Sequence, residues 1–134
     1  KNDGTLAGYP TASVFSSTLN SSVADLYKAL GMRHSKVYYG YDGATPLTSA
    51  MLNVNYLFGK TENQDQYERN EAQDRLYTEV ASKGTLTLYE SNYQVPFGYV
   101  VKEDFDIKTD GSDGITLQNR MVKALGASGK LFEK

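Results

Sequence analysis

Hydrophobic positions in this chain recur with two different periods, so the sequence predicts both helices and strands. Val23, Leu26, Tyr27 and Leu30 fall at helical spacing and form one apolar stripe. Ser22 precedes the stripe as an N-cap residue, Asp25 approximates a capping box, and Gly31 stands where a helix end needs positive φ. A helix is therefore expected over Val23–Leu30. Thr45-Pro46 predicts a second helix start, with Thr45 as N-cap, Pro46 in the first turn, and Leu47, Ala50 and Met51 as the apolar face. Leu117, Met121, Val122 and Leu125 mark a third helix, closed by Gly126.

Period-two segments predict the strands. Ala12–Ser17 reads as a short one. Asn53–Phe58 alternates polar and apolar residues and stops at Gly59. Gly84 introduces the strict alternation of Thr85–Tyr89, and Gln94–Val101 follows the turn residues Ser91-Asn92. Pro96 puts the start of that last strand at an edge or bulge, and the two strands together suggest an antiparallel hairpin. Residues 1–10 read as an extended or frayed entry; 60–75 reads as an exposed loop, with an exposed helical turn as the alternative, and 102–114 and Met32–Thr45 read as loops. The sum is an α+β domain with a mixed or antiparallel sheet of about four strands packed by about three helices. The length of 134 residues suits a single domain over 1–134.

Composition narrows the chemistry. Sixteen acidic residues against 14 basic ones give a net charge of −2, which leaves no electrostatic footprint for nucleic acid. The chain contains no Cys, so it offers no disulfide framework, thiolate nucleophile or Cys-ligated zinc site, and no cofactor is expected. The acidic segment 102–114 fails as a calcium loop. Counted from Asp106, Lys108 falls at a ligand position and Leu117 at the bidentate one. His34 is the only imidazole, which excludes a His–His metal pair; beside Arg33 after a helix end, it suits the helix dipole. A glycan hydrolase would need two carboxylates across one cleft, and sixteen acids give no ranking among pairs. Asp42, before Gly43, reads first as turn chemistry.

The surplus of Tyr, 11 residues, is the positive signal. Tyr27, Tyr56 and Tyr89 lie on patterned helix or strand positions and read as structural. Tyr38, Tyr39 and Tyr41 cluster in one loop with Arg33, His34, Lys36 and Asp42. A phenol ring offers an apolar face and a polar tip, suited to a sugar or a protein surface. The cations suit phosphate oxygens. These seven residues are the candidate ligand-binding set. The alternative is that Tyr38 and Tyr41 only pack the loop onto its own domain.

Several runs resemble the YfhO family of bacterial membrane proteins. They are Ser13–Asn20, the helix end Leu30-Gly31, the segment Tyr41–Tyr56 with its YDG-x-TP pattern, Leu88–Val101, and Gln118-Asn119. Asn53 and Asn55 replace the glycine and lysine more usual in that pattern. The resemblance covers roughly residues 12–126. It implies a polytopic protein of mainly Gram-positive bacteria, similar to GT-C glycosyltransferases that use polyprenyl-phosphate sugars at the outer face of the cell membrane. Lipoteichoic acid or a related envelope polymer would be the acceptor. The chain would then be an extracytoplasmic domain cut from a larger membrane protein, as the missing Met and the absence of any apolar run of ~18–20 residues also suggest. Its partners would be the membrane, through segments outside this chain, and the polymer or another membrane protein. The resemblance maps no catalytic carboxylate onto this sequence.

Overall fold

The computed structural model describes residues 2–60, 75–96, 98, 100–101 and 111–133. Residues 61–74 of the loop expected over 60–75, and 102–110 of the acidic segment, lie outside the described residues. The elements in chain order are α1 (Asp3–Ala7), β1 (Val14–Phe15), α2 (Ser21–Ala29), β2 (Tyr38–Tyr39), α3 (Pro46–Met51), β3 (Tyr56–Lys60), β4 (Tyr77–Lys83), β5 (Leu86–Ser91) and α4 (Gly114–Ala124). This is the expected α+β class, with the strands divided between two antiparallel sheets. The described residues fall into two compact units, one within 1–48 and 98–134, the other within 49–97.

The first unit is built on α2 and α4, the two helices with clear apolar stripes. Asn20, not Ser22, caps α2: its side chain accepts from the Ser22 backbone N–H at 3.0 Å. Asn is as good an N-cap as Ser, so the start is set by which side chain reaches back. Both helices end in the same six-residue closure. Gly31 (φ 79°) and Gly126 (φ 99°) take the left-handed conformation. Their N–H groups bond Lys28 and Lys123, while Met32 and Ala127 bond Tyr27 and Val122. That is the Schellman pattern, which satisfies carbonyls the helix leaves over.

Ala24, Tyr27, Leu30, Met32, Leu117 and Met121 are the buried hydrophobic residues of the described chain, and all belong to the first unit. Burying each of the Leu and Met side chains contributes about 1.5–3 kcal/mol. Thr48 and Gln118 are the polar side chains buried with them. Thr45 and Thr48 bond reciprocally at the start of α3, the Thr45 N–H to Thr48 Oγ1 at 2.7 Å and the Thr48 N–H to Thr45 Oγ1 at 3.3 Å. Gln118, 2 % exposed, accepts from the Thr45 hydroxyl and donates to the Leu30 carbonyl at 3.2 Å. Each buried polar group therefore has a partner, as burial demands. Asn2 lies alongside β1: its side chain accepts from the Phe15 N–H at 2.8 Å and donates to the Phe15 carbonyl at 2.9 Å.

The second unit is a three-stranded sheet in the order β3-β5-β4. The expected strand Asn53–Phe58 starts later, at Tyr56, because Asn53 adopts φ 54° and turns the chain after α3. The expected strand Gln94–Val101 is corrected. Its described residues lie outside any strand, and the partner of Leu86–Ser91 is instead Tyr77–Lys83, joined to it through Gly84-Thr85. Both edges of β5 are already occupied, by β3 and β4. A third partner has no backbone groups left to pair.

Gly114 opens α4 against the end of α2. A Cβ there would stand 2.8 Å from both the carbonyl carbon and the oxygen of Leu30. Backbone cannot swing aside as a side chain can. Gly114→Ala is expected to lower stability by about 2 kcal/mol in urea unfolding. Gly129→Ala, which meets nothing within 4 Å, should change it by less than about 0.5 kcal/mol.

Candidate functional site

The segment expected as a loop after α2 is a small β-hairpin. The Arg33 N–H donates to the Asp42 carbonyl at 3.0 Å, and the Gly40 N–H to the Arg33 carbonyl at 2.9 Å. His34 and Tyr39 form a bridge between them. At the tip the Ser35 N–H donates to the Tyr38 carbonyl at 2.7 Å, while Ser35 Oγ accepts from Val37 and Tyr38 N–H, both at 3.2 Å. Ser in this position supplies its own turn. The hairpin is sewn to β1 by Ser16 N–H to the Val37 carbonyl and by Tyr41 N–H to Ser13 Oγ, both at 2.9 Å.

Because side chains alternate along a strand, Tyr38 and Tyr39 face opposite ways. Tyr39 turns inward: its ring lies 4.7 Å from that of Tyr27, centre to centre, at 45°. The buried Tyr27 hydroxyl donates to the Ala12 carbonyl at 2.8 Å. Tyr38 turns the other way, towards Arg33. The guanidinium carbon sits 5.5 Å from the Tyr38 ring centre, within cation–π range. Arg33 Nε donates to the Tyr38 hydroxyl at 3.3 Å, and Nη1 to Asp42 Oδ2 at 3.1 Å. The Tyr38 bond, then Asp42, push the Arg33 pKa further up, so its charge is permanent. The ion pair is more than half exposed at both ends, 58 % and 62 %, so water and salt screen it and it adds little to stability.

The fold thus gathers the seven candidate residues on one hairpin but divides them. Arg33 touches both Tyr38 and Asp42 on the hairpin's outer side. Lys36 stands exposed at the tip. His34 is exposed, with Nδ1 3.0 Å from the Met32 carbonyl, which favours a proton on that nitrogen and turns Nε2 away from the bond. Tyr41 and Tyr38 are half-buried, and Tyr39 serves the packing against Tyr27. Sequence reasoning missed Ser13 and Ser35, which fix the hairpin. Ser35 carried a signal, as a small polar residue before the tip. Ser13 carried none, since its role depends on a contact 28 residues away.

A cleft of about 520 Å³ also opens in the first unit, lined by Leu30, Gly31, Thr45, Asp113, Ile115 and Gln118 among others. Its carboxylate, Asp113, caps α4, accepting from the Thr116 N–H at 2.9 Å and its hydroxyl at 3.2 Å. Glycoside hydrolysis needs a second carboxylate across the cleft, and among the described lining residues Asp113 is the one carboxylate. Among the described residues no group of three His, Cys, Asp or Glu side chains could hold a metal ion.

The fold and the hairpin define a small α+β assembly that displays a cation–aromatic–carboxylate surface. The chain belongs to the YfhO family of bacterial membrane proteins, whose sequence profile matches residues 1–134. No curated protein and no solved structure matches it. Among the described residues no helix is long and apolar enough to cross a membrane.

Burial, and then the nearby Tyr39, push the Tyr27 phenol up from 10.0 to about 12. The unfolded chain releases that proton near 10, so between about 10 and 12 the folded state binds more protons and stability falls as pH rises. Stability from this group is complete below pH 10 and gone above about 12. Tyr27→Phe should flatten that alkaline decline in unfolding curves taken across this range, and should remove a phenolate absorbance that develops near pH 12.

Proposed function

We propose that the chain is an extracytoplasmic accessory domain of a membrane glycosyltransferase. The whole protein would transfer sugar from a polyprenyl phosphate to a cell-envelope polymer of lipoteichoic-acid type, at the outer face of a Gram-positive membrane. The domain binds or orients the acceptor polymer and performs no chemistry alone. Membership of a bacterial membrane protein family along the whole chain carries this reading. The hairpin supports it, with Arg33 and Lys36 as cations, His34 beside them and Tyr38 as an apolar plate.

Glycerol-phosphate units match that surface: a phosphate oxygen for the cations and a short carbon stem for the ring. Asp42 repels phosphate while it holds Arg33 in place. Lys36 therefore makes first contact, and Arg33 contributes its remaining N–H groups.

A second reading has its own observation. Tyr39 packs on Tyr27 and Asp42 pairs with Arg33, so the hairpin's chemistry is partly spent on itself. In that reading the domain is a structural or protein-interaction module of the membrane protein.

An NMR titration with a soluble glycerol-phosphate oligomer separates the two. Acceptor binding predicts shifts over residues 33–42 that weaken as salt rises, and a loss of about threefold or more in affinity for Lys36→Ala. Shifts confined elsewhere, or none, would rule out the hairpin as the acceptor site.

A further inference from the structure

The second unit carries a feature that the hairpin reading does not use. Directly paired residues of antiparallel strands share a face. Tyr56 pairs with Glu90 and Phe58 with Leu88, so these four side chains occupy one face of the sheet. Leu57 and Tyr89 occupy the other, where the Tyr89 ring lies over Gly59. Tyr56 was expected to be a packing residue, yet it is 53 % exposed, and Phe58 beside it is 58 % exposed. Same-face neighbours on a strand stand about 6.6–6.8 Å apart, so the two rings form a short aromatic strip.

Polar groups are fixed at one end of the strip. The Tyr56 hydroxyl donates to Glu90 Oε1 at 3.0 Å, and Gln94 Nε2 donates to the same oxygen at 3.2 Å. Two donors hold the carboxylate in place. Both fall on Oε1, which leaves the lone pairs of Oε2 to accept from a ligand. We infer that this face is a binding site for an uncharged glycan chain, with Tyr56 and Phe58 as the stacking surface and Glu90 as the hydroxyl acceptor.

A pyranose ring has both complements: C–H groups that pack on an aromatic face, and equatorial hydroxyls that donate to a carboxylate. Charge decides against the other occupants. Phosphates and anionic headgroups would approach the Glu90 carboxylate. The described cation on this face, Lys83, stands opposite Leu86, about 13 Å further along the strand. An apolar protein surface would bury the Glu90 charge without a counter-ion. A neutral, hydroxyl-rich ligand hydrates that carboxylate as it binds. The site lies within the second unit and stands whether or not the hairpin takes glycerol phosphate.

The test is an NMR titration of the 134-residue chain with cellohexaose, chitohexaose and maltohexaose, beside a glycerol-phosphate oligomer. At least one sugar should shift resonances of residues 56–58 and 88–90. Tyr56→Ala should weaken that binding about fivefold, while Tyr56→Phe, which keeps the ring, should lose about twofold. Glu90→Ala should weaken it without removing the aromatic shifts. Unchanged amide resonances in the rest of β3–β5 certify folding; if Tyr56→Ala fails that check, Tyr56→Phe and Glu90→Ala carry the test. The inference is overturned by silence with all three sugars, by sugar shifts outside this face, by variants that bind as the parent does, or by tighter binding of glycerol phosphate here. Shifts at 33–42 with glycerol phosphate report on the hairpin separately.

Discussion

The primary amide of Gln118 holds the first unit in register. It is buried, and its two ends are matched to the Leu30 carbonyl at the end of α2 and the Thr45 hydroxyl at the start of α3. Leaving such a group unpartnered costs about 1–3 kcal/mol, so the three segments are held to one arrangement. Gly114 allows the approach by removing the Cβ that would strike Leu30. The hairpin over 33–42 leaves from the end of α2 and returns to the start of α3. Its two ends are therefore fixed at one place before any side chain on it interacts, and the exposed Arg33–Asp42 pair decorates a register that the backbone has already set.

That register gives the tyrosines different work. Tyr39 is drawn to Tyr27 and adds to the core, while Tyr38, one residue earlier, is held under a guanidinium at the surface. A strand's two-residue period makes this split unavoidable once one of the pair is buried. In the second unit the same period places Tyr56 and Phe58 together on the open face and Leu57 on the other. Aromatic residues that look alike in a composition count thus divide into those that hold the fold and those that face outward.

Much of this was legible in the sequence, for definable reasons. α2 and α4 have apolar stripes, and each ends in a glycine that takes positive φ. Thr45-Pro46 opens α3 as its chemistry implies. β4 was missed because Tyr-Thr-Glu-Val-Ala-Ser-Lys lacks an apolar alternation, and six of its seven residues are exposed. Its identity comes from pairing with β5 across a tight turn. Gln94–Val101 misled for the opposite reason, having strand-like residues but no free edge on β5. The candidate residues were legible as a cluster, since they are close in sequence. Which of them touch was not, because it follows from the Arg33–Asp42 register and from Ser13, far away in the chain.

Asn2 has a consequence for association. Just after β1, Ser16 points its N–H inward to the Val37 carbonyl beside β2, so the N–H and carbonyl of Phe15 point outward from the sheet. Outward groups of this kind are a template for a strand from another molecule, and proteins commonly blunt them with charge, proline or a bulge. Here a carboxamide occupies both groups, in the geometry a neighbouring peptide unit would use. The side chain thus works as a one-residue strand that cannot be extended. The ladder stops at Asn2 with no charge introduced, and this edge of the sheet is closed to a copy of itself at Phe15.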